Sequence, residues 1–144
     1  MIPVRRWRHR TSLRSILTIS GLVLFTGLTA ACLAENVVRI TASDAARLVR
    51  DGNAVLIDVR EPAEWAATGV ATPAALLPMN DFKGERKLWR PFLEQHAGKE
   101  LILYCRSGRR SGLVAQALAA EGWKTRNAGR FQDWVKAGLP TRAP

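Results

Sequence analysis

Residues 54–59 read AVLIDV and residues 100–104 read ELILY, two nearly unbroken apolar runs of strand length. A strand buried on one face alternates apolar and polar side chains, so runs like these predict strands covered on both faces. Residues 37–40 (VVRI), 74–77 (AALL) and 123–127 (WKTRN) are shorter strand candidates. Between them the pattern turns helical. Ala45, Leu48 and Val49 mark a helix that Thr41 or Ser43 can cap and that Asp51-Gly52-Asn53 ends. Pro62 stands where a second helix begins and leads through Trp65. Residues 83–95 predict one longer helical region, with Leu88, Trp89, Phe92 and Leu93 on one side and Pro91 restarting it. Residues 113–120 form an apolar helix stopped by Gly122, and residues 131–136 a last helix closed by Gly138 and Pro140.

Strands alternating with helices predict an α/β fold: a mostly parallel central sheet with helices on both faces, in a single domain. A chain of 144 residues, 47% of them hydrophobic, has enough apolar surface for one core. In such sheets ligands bind beyond the carboxyl ends of the strands. Cys105 follows an apolar strand directly.

The first 34 residues have another pattern. Arg5, Arg6, Arg8, Arg10 and Arg14 precede an uncharged stretch from Ser15 to Ala34 that closes in the small residues of TAACLA. That layout predicts a secretory signal peptide over 1–34, a mature domain over 35–144 and a periplasmic protein. Two alternatives stay open. The stretch could remain as an inner-membrane anchor, although Thr18, Ser20, Gly21, Thr26, Gly27 and Thr29 dilute it. Cys32 could carry a lipid, although Thr29 stands where such a box usually places leucine. Membrane contact is expected only through one of these two. Without the five head arginines the formal charge of +10 falls to +5. No basic run interleaved with aromatics remains, so no nucleic-acid partner is expected.

If Cys32 leaves with the signal, Cys105 is the one thiol left, and no internal disulfide can form. A lone thiol is either inert packing or a reactive group, and its neighbours decide. In LYCRSGRRSG, Arg106, Arg109 and Arg110 crowd together just after Cys105. Like charges that close call for an anion among them. Gly108 gives the segment the backbone freedom to curl, so that successive N–H groups converge into an anion nest, with a helix N-terminus behind them. A free cysteine is only about 3% thiolate at pH 7, and such a loop would raise that fraction. His9 lies in the expected signal and His96 at the polar end of a helix, so neither offers the geometry of a Cys–His hydrolase. No metal-ligand spacing is present. A nucleophile without a base suits chemistry whose leaving group is already a stable anion. Asp58 and Arg60, near the end of a neighbouring strand, are expected either to brace the loop by an ion pair or to serve structure alone. Trp65, Trp123 and Trp134 are expected in the core.

CRSGRRS, preceded by VLIDVREPAEW and followed by GWKTRNAGRFQDWVKAGLP, resembles a single-domain rhodanese, of the thiosulfate sulfurtransferase-like family, over residues 37–140. The most specific parts are Cys105 with Gly108 and Arg110, the DVREPAEW stretch, and Trp134 with the terminal AGLP. The resemblance implies that Cys105 takes the outer sulfur of a donor such as thiosulfate, releases sulfite and carries a persulfide. The terminal sulfur then passes to a thiophilic acceptor such as cyanide or a thiol, with no cofactor. Arg110, with Arg106 or Arg109, would draw in the small anionic donor, and the backbone of the loop through Ser107 and Gly108 would hold the sulfur. A protein sulfur acceptor is the open alternative, making the chain a persulfide carrier or binding module. Related cysteine phosphatases share the architecture but place five residues between cysteine and arginine, where four separate Cys105 from Arg110. The chain departs from the family pattern at Thr68–Val70, where Gly-His-Ile is common, and at Ala128-Gly129, where a double glycine is common.

Overall fold

The two runs that are apolar throughout do form the centre of a sheet. In the computed structural model, which describes residues 37–144, β2 (Ala54–Asp58) and β5 (Glu100–Cys105) pair in parallel. β6 (Thr125–Arg130) and then β1 (Val38–Arg39) continue beyond β5, and β4 (Ala75–Leu76) lies beyond β2. Every pairing in this five-stranded sheet is parallel. The signal, anchor and Cys32 expectations fall outside the described residues.

The alternation of side chains along β2 and β5 sorts the core into two layers. Ile57, Leu101, Leu103 and Cys105 face α3 (Met79–Lys83), α4 (Trp89–Gln95) and α5 (Arg109–Ala120). Leu56, Ile102 and Tyr104 face α1 (Ala42–Arg50) and α6 (Phe131–Lys136). Leu101, Ile102 and Leu103 are all wholly inaccessible to solvent. Burial of each contributes about 1.5–3 kcal/mol, so the strand that ends at Cys105 is among the most firmly seated pieces of the chain. Helices cover both faces, as the pattern predicts. Among the described residues no helix is long and apolar enough to cross a membrane.

Boundaries differ in places where side chains bond to backbone. Thr41, not Ser43, caps α1, its Oγ1 accepting from the Asp44 N–H at 3.1 Å. The helix expected over 83–95 forms only over its second half, as α4, and Lys83 is instead the last residue of α3. α3 stops at Gly84, and the Asp81 carboxylate gathers the N–H groups of Lys87, Leu88 and Trp89 at 3.0, 2.9 and 3.4 Å before α4 can start. Pro91 is then the third residue of α4, inside the first turn, where its missing N–H costs nothing. Trp89 is fully buried, its indole N–H donating to the Pro78 carbonyl, while Leu88 from the same expected face stays exposed. A second, two-stranded antiparallel sheet, β3 (Val70–Ala71) with β7 (Thr141–Arg142), was not predicted, because two-residue strands carry no periodicity. α2 (Pro62–Thr68) begins at Pro62 as predicted. Trp65 and Trp134 are buried and Trp123 is half-buried against the core.

Candidate functional site

The parallel ladder between β5 and β6 slips beside Cys105. Leu103 pairs with Asn127 but Tyr104 pairs with Gly129, so Ala128 is one extra residue in β6. Gly129 sits at φ +81° in this bulge, and Gly108, the N-cap of α5, sits at φ +87°. These are conformations that side chains with a Cβ rarely adopt. The two glycines also touch: a methyl group on Gly108 would stand 3.2 Å from the Gly129 Cα. The second glycine of the usual pair is therefore the one that the geometry demands, and Ala128 is packed in the core instead. The loop after Cys105 lies flat on the bulge.

That contact fixes where the loop amides aim. The Gly108 N–H donates to Cys105 Sγ at 3.1 Å, and the Ser111 hydroxyl lies 3.5 Å from the same sulfur. Burial opposes ionisation of the thiol. Hydrogen bonds from the Ser111 hydroxyl and from the N–H groups of Ser111, Ser107 and Gly108 outweigh it, and the thiol is held below its ordinary value. Ser111 Oγ also donates to Asn127 Oδ1 at 2.8 Å. A hydroxyl has one hydrogen and cannot serve both acceptors, so the amides carry the thiolate more than the hydroxyl does. Asn127 in turn donates from Nδ2 to the Gly108 carbonyl at 2.9 Å and accepts from the Gly129 N–H at 2.9 Å. One amide side chain thus ties the loop, the bulge and α5 together.

Of the residues singled out in sequence, Cys105 and Gly108 are buried, while Arg106, Ser107 and Arg109 are exposed. Arg110 is half-buried and has an unforeseen partner. Its two terminal nitrogens donate to the two oxygens of Glu64 at 2.6 and 2.7 Å. The guanidinium draws the Glu64 carboxyl down to about 2, with the Glu61 N–H adding to the effect. Glu64 and Glu61 form a reciprocal capping box at the start of α2. The same carboxylate therefore starts a helix and holds the loop arginine. Arg110 responds to Cys105 as well as to Glu64, both favouring its charged form. Folding with a carboxyl held at about 2 instead of an ordinary 4.5 gives stability that is present above pH 4.5 and is lost as pH falls toward 2. Glu64→Gln should therefore be less stable than the native protein at neutral pH, with the gap closing between pH 4.5 and 2; parallel denaturant titrations across that range measure it. A gap that stays constant with pH would show that the pair contributes nothing.

Asp58 and Arg60 do pair. Arg60 Nε lies 3.0 Å from both Asp58 oxygens and its terminal nitrogen 2.6 Å from Oδ2, with the two residues 0% and 3% exposed. The remaining hydrogen bonds of the guanidinium go to Thr68 Oγ1 at 2.7 Å and the Gly69 carbonyl at 2.8 Å, and its face lies 4.2 Å from the centre of the Phe131 ring. They do not reach residues 106–110. The Thr-Gly-Val departure from the family pattern is thus built into the pair's own surroundings.

Sequence reasoning missed the roles of Glu64, Ser111 and Asn127. Glu61-Pro62-Ala63-Glu64 has the spacing of a capping box and could have shown Glu64. An amide inside a short strand was the signal for Asn127.

A cysteine whose sulfur is cradled by loop amides, at the carboxyl edge of a parallel sheet, defines a class of enzymes that carry a transferred group on that sulfur. The chain belongs to the rhodanese-like family: the family model for the rhodanese-like domain matches residues 41–137. It is 29% identical to a thiosulfate:glutathione sulfurtransferase of Saccharomyces cerevisiae, with 72% of this chain and 82% of that one covered. It is 32% identical to a sulfurtransferase of Allochromatium vinosum, over 68% and 87% of the two chains. A Rhodopseudomonas palustris structure described as a possible tyrosine phosphatase superimposes with a TM-score of 0.61 at 25% identity, covering 74% of this chain and 85% of that one.

Proposed function

We propose that this protein is a sulfurtransferase that moves the outer sulfur of thiosulfate, or a similar anionic donor, to a thiol or cyanide through a persulfide on Cys105. The observation that carries the reading is the convergence of the Gly108 N–H and the Ser111 hydroxyl on Cys105 Sγ. The Cys105 thiolate attacks the outer sulfur. A new S–S bond forms at Sγ, the old one breaks, and sulfite leaves with the bonding pair, needing no proton. The persulfide that remains bears one negative charge, which the loop amides hold as they held the thiolate. An acceptor thiolate or cyanide then attacks the terminal sulfur, and Cys105 departs as the stabilised thiolate. Lowering the pKa of Cys105 helps both as attack begins and as transfer ends.

The first step brings an anion to an anion. Arg110, aimed by Glu64, sits beside the sulfur with its charge shared, while Arg106 and Arg109 project from the exposed loop. Those two supply the unshared charge that draws in the donor. The relatives named as sulfurtransferases support sulfur transfer, and the yeast relative's name supports thiosulfate as donor and a thiol as acceptor. With four residues between Cys105 and Arg110, the curl suits one extra sulfur better than a tetrahedral phosphate.

A donor-and-acceptor panel on the domain from Glu35 onward tests this. Thiosulfate with cyanide should give thiocyanate, and thiosulfate with a small thiol should give sulfite. Hydrolysis of p-nitrophenyl phosphate without any sulfur transfer would overturn the reading in favour of a phosphatase. Sulfur uptake that no small acceptor discharges would replace turnover with a carrier serving a protein partner.

A further inference from the structure

A cleft of about 510 Å³ opens between the start of α1, the β6 bulge and α6, lined by Arg39, Thr41, Ser43, Ala128, Asp133 and Ala137. It lies at the carboxyl ends of β1 and β6, the same edge of the sheet at which Cys105 ends β5. Arg39 joins the cleft to the sulfur loop. A methyl group on Gly129 would stand 2.7 Å from its guanidinium, and one on Gly108 would stand 3.7 Å from it. Gly108 is also the residue whose N–H meets Cys105 Sγ. Only the width of that one residue separates the Arg39 cation from the sulfur cradle.

Of the other cations along this rim, Arg106 and Arg109 project from the exposed loop after Cys105, and the remaining two are engaged. Arg110 is held by Glu64, and Arg130 is held by Asp133 at 2.7 Å. Asp133 lies below its ordinary value chiefly because of Arg130, with a smaller contribution from Arg39. Arg39 itself makes no hydrogen bond to any described residue. An exposed guanidinium laid along glycine backbone, at the mouth of a cleft walled by alanines, Ile40 and the hydroxyls of Thr41 and Ser43, with the Asp133 carboxylate in the wall already paired to Arg130, is suited to a carboxylate on a small, partly apolar body. The cleft is larger than a two-sulfur inorganic anion needs, so the donor does not account for it.

We propose that this cleft seats the acceptor: Arg39 binds the carboxylate of a small amino-acid- or peptide-type thiol and so selects anionic thiols over neutral ones. The assignment rests on the sulfur-transfer reading above and adds to it a seat for the second substrate. Discrimination is expected in the second half-reaction, when the persulfide is discharged.

The test separates the two half-reactions. Protein loaded with sulfur from thiosulfate and then desalted is mixed with 3-mercaptopropionate or with 2-mercaptoethanol, and loss of the extra sulfur is followed by mass. Arg39→Gln should lower the rate with 3-mercaptopropionate, relative to 2-mercaptoethanol, by about tenfold, the scale of one charge-assisted hydrogen bond. Arg39→Lys should restore part of that preference. An unchanged ratio, or an equal loss for both thiols, would overturn the proposal, the latter showing Arg39 to be a prop for the loop. Titration of the native protein with 3-(methylthio)propionate, which cannot accept sulfur, should shift the amide resonances of Ala128, Gly129 and Ala137. Sulfur loading with no such shifts would remove the carboxylate seat and leave the transferase standing. Shifts without any loading would keep the seat and sink the transferase.

Discussion

Cys105→Ser is expected to take up no sulfur at all. The native protein, incubated with thiosulfate, should gain the mass of one sulfur atom, about 32 Da, and lose it to cyanide as thiocyanate. The variant should do neither. A serine hydroxyl stays protonated at neutral pH even among the loop amides, and an oxygen there forms no persulfide. Folding is not the reason for the loss, because serine nearly matches cysteine in size and the Ser111 hydroxyl and Gly108 N–H can bond to its oxygen as they do to the sulfur. Matching unfolding curves for the two proteins check that. A variant that still gained sulfur would move the reaction away from Cys105.

The largest expected effect on stability lies one strand away. Arg60→Met should cost about 3–5 kcal/mol, the usual consequence of leaving a buried charge without its partner. Asp58 is completely enclosed, and a methionine side chain offers nothing to its two oxygens, leaving from residue 60 only the backbone N–H that donates to Oδ1 at 3.0 Å. Against a typical total of about 5–15 kcal/mol for a domain, such a loss is a large fraction, and denaturant unfolding should show it plainly. The double variant Asp58→Leu with Arg60→Met should recover much of it, since removing both charges also removes the desolvation that the pair opposes. A single variant within about 0.5 kcal/mol of the native protein would mean that water reaches Asp58 despite its burial.

Much of this was legible in the chain. AVLIDV and ELILY identified two central strands because burial on both faces selects apolar side chains along almost the whole run, Asp58 being admitted only with its Arg60 partner. Cys105 and Gly108 could be brought together in a candidate site because a strand end followed by a glycine curl is a local pattern. The capping-box spacing could mark Glu64, but its pairing with Arg110 and that of Asn127 with Gly108 were not legible, because these partners lie 46 and 19 residues away and only the folded sheet brings them together. The break between α3 and α4 was hidden for a related reason. Asp81 collects three backbone N–H groups there, and helical spacing of apolar residues records nothing about such a bond. Arg60 was read correctly as one half of an ion pair, but only the fold shows that the guanidinium turns toward Thr68 and Gly69 and not toward the sulfur.

The extra residue in β6 has a reach beyond the loop it supports. Strand residues alternate between faces, so one inserted residue reverses the parity of everything after it. α6 starts directly after β6, and its first residue, Phe131, lies over Arg60 and stacks at 5.9 Å on Tyr104. Deleting Ala128 would turn the sequence of α6 by about 100° about the helix axis and carry Phe131 off that guanidinium. The same deletion would pull Gly129 from beneath Gly108. A single count of residues in one strand thus sets the phase of both layers of the molecule, the sulfur cradle on one side and the buried ion pair on the other.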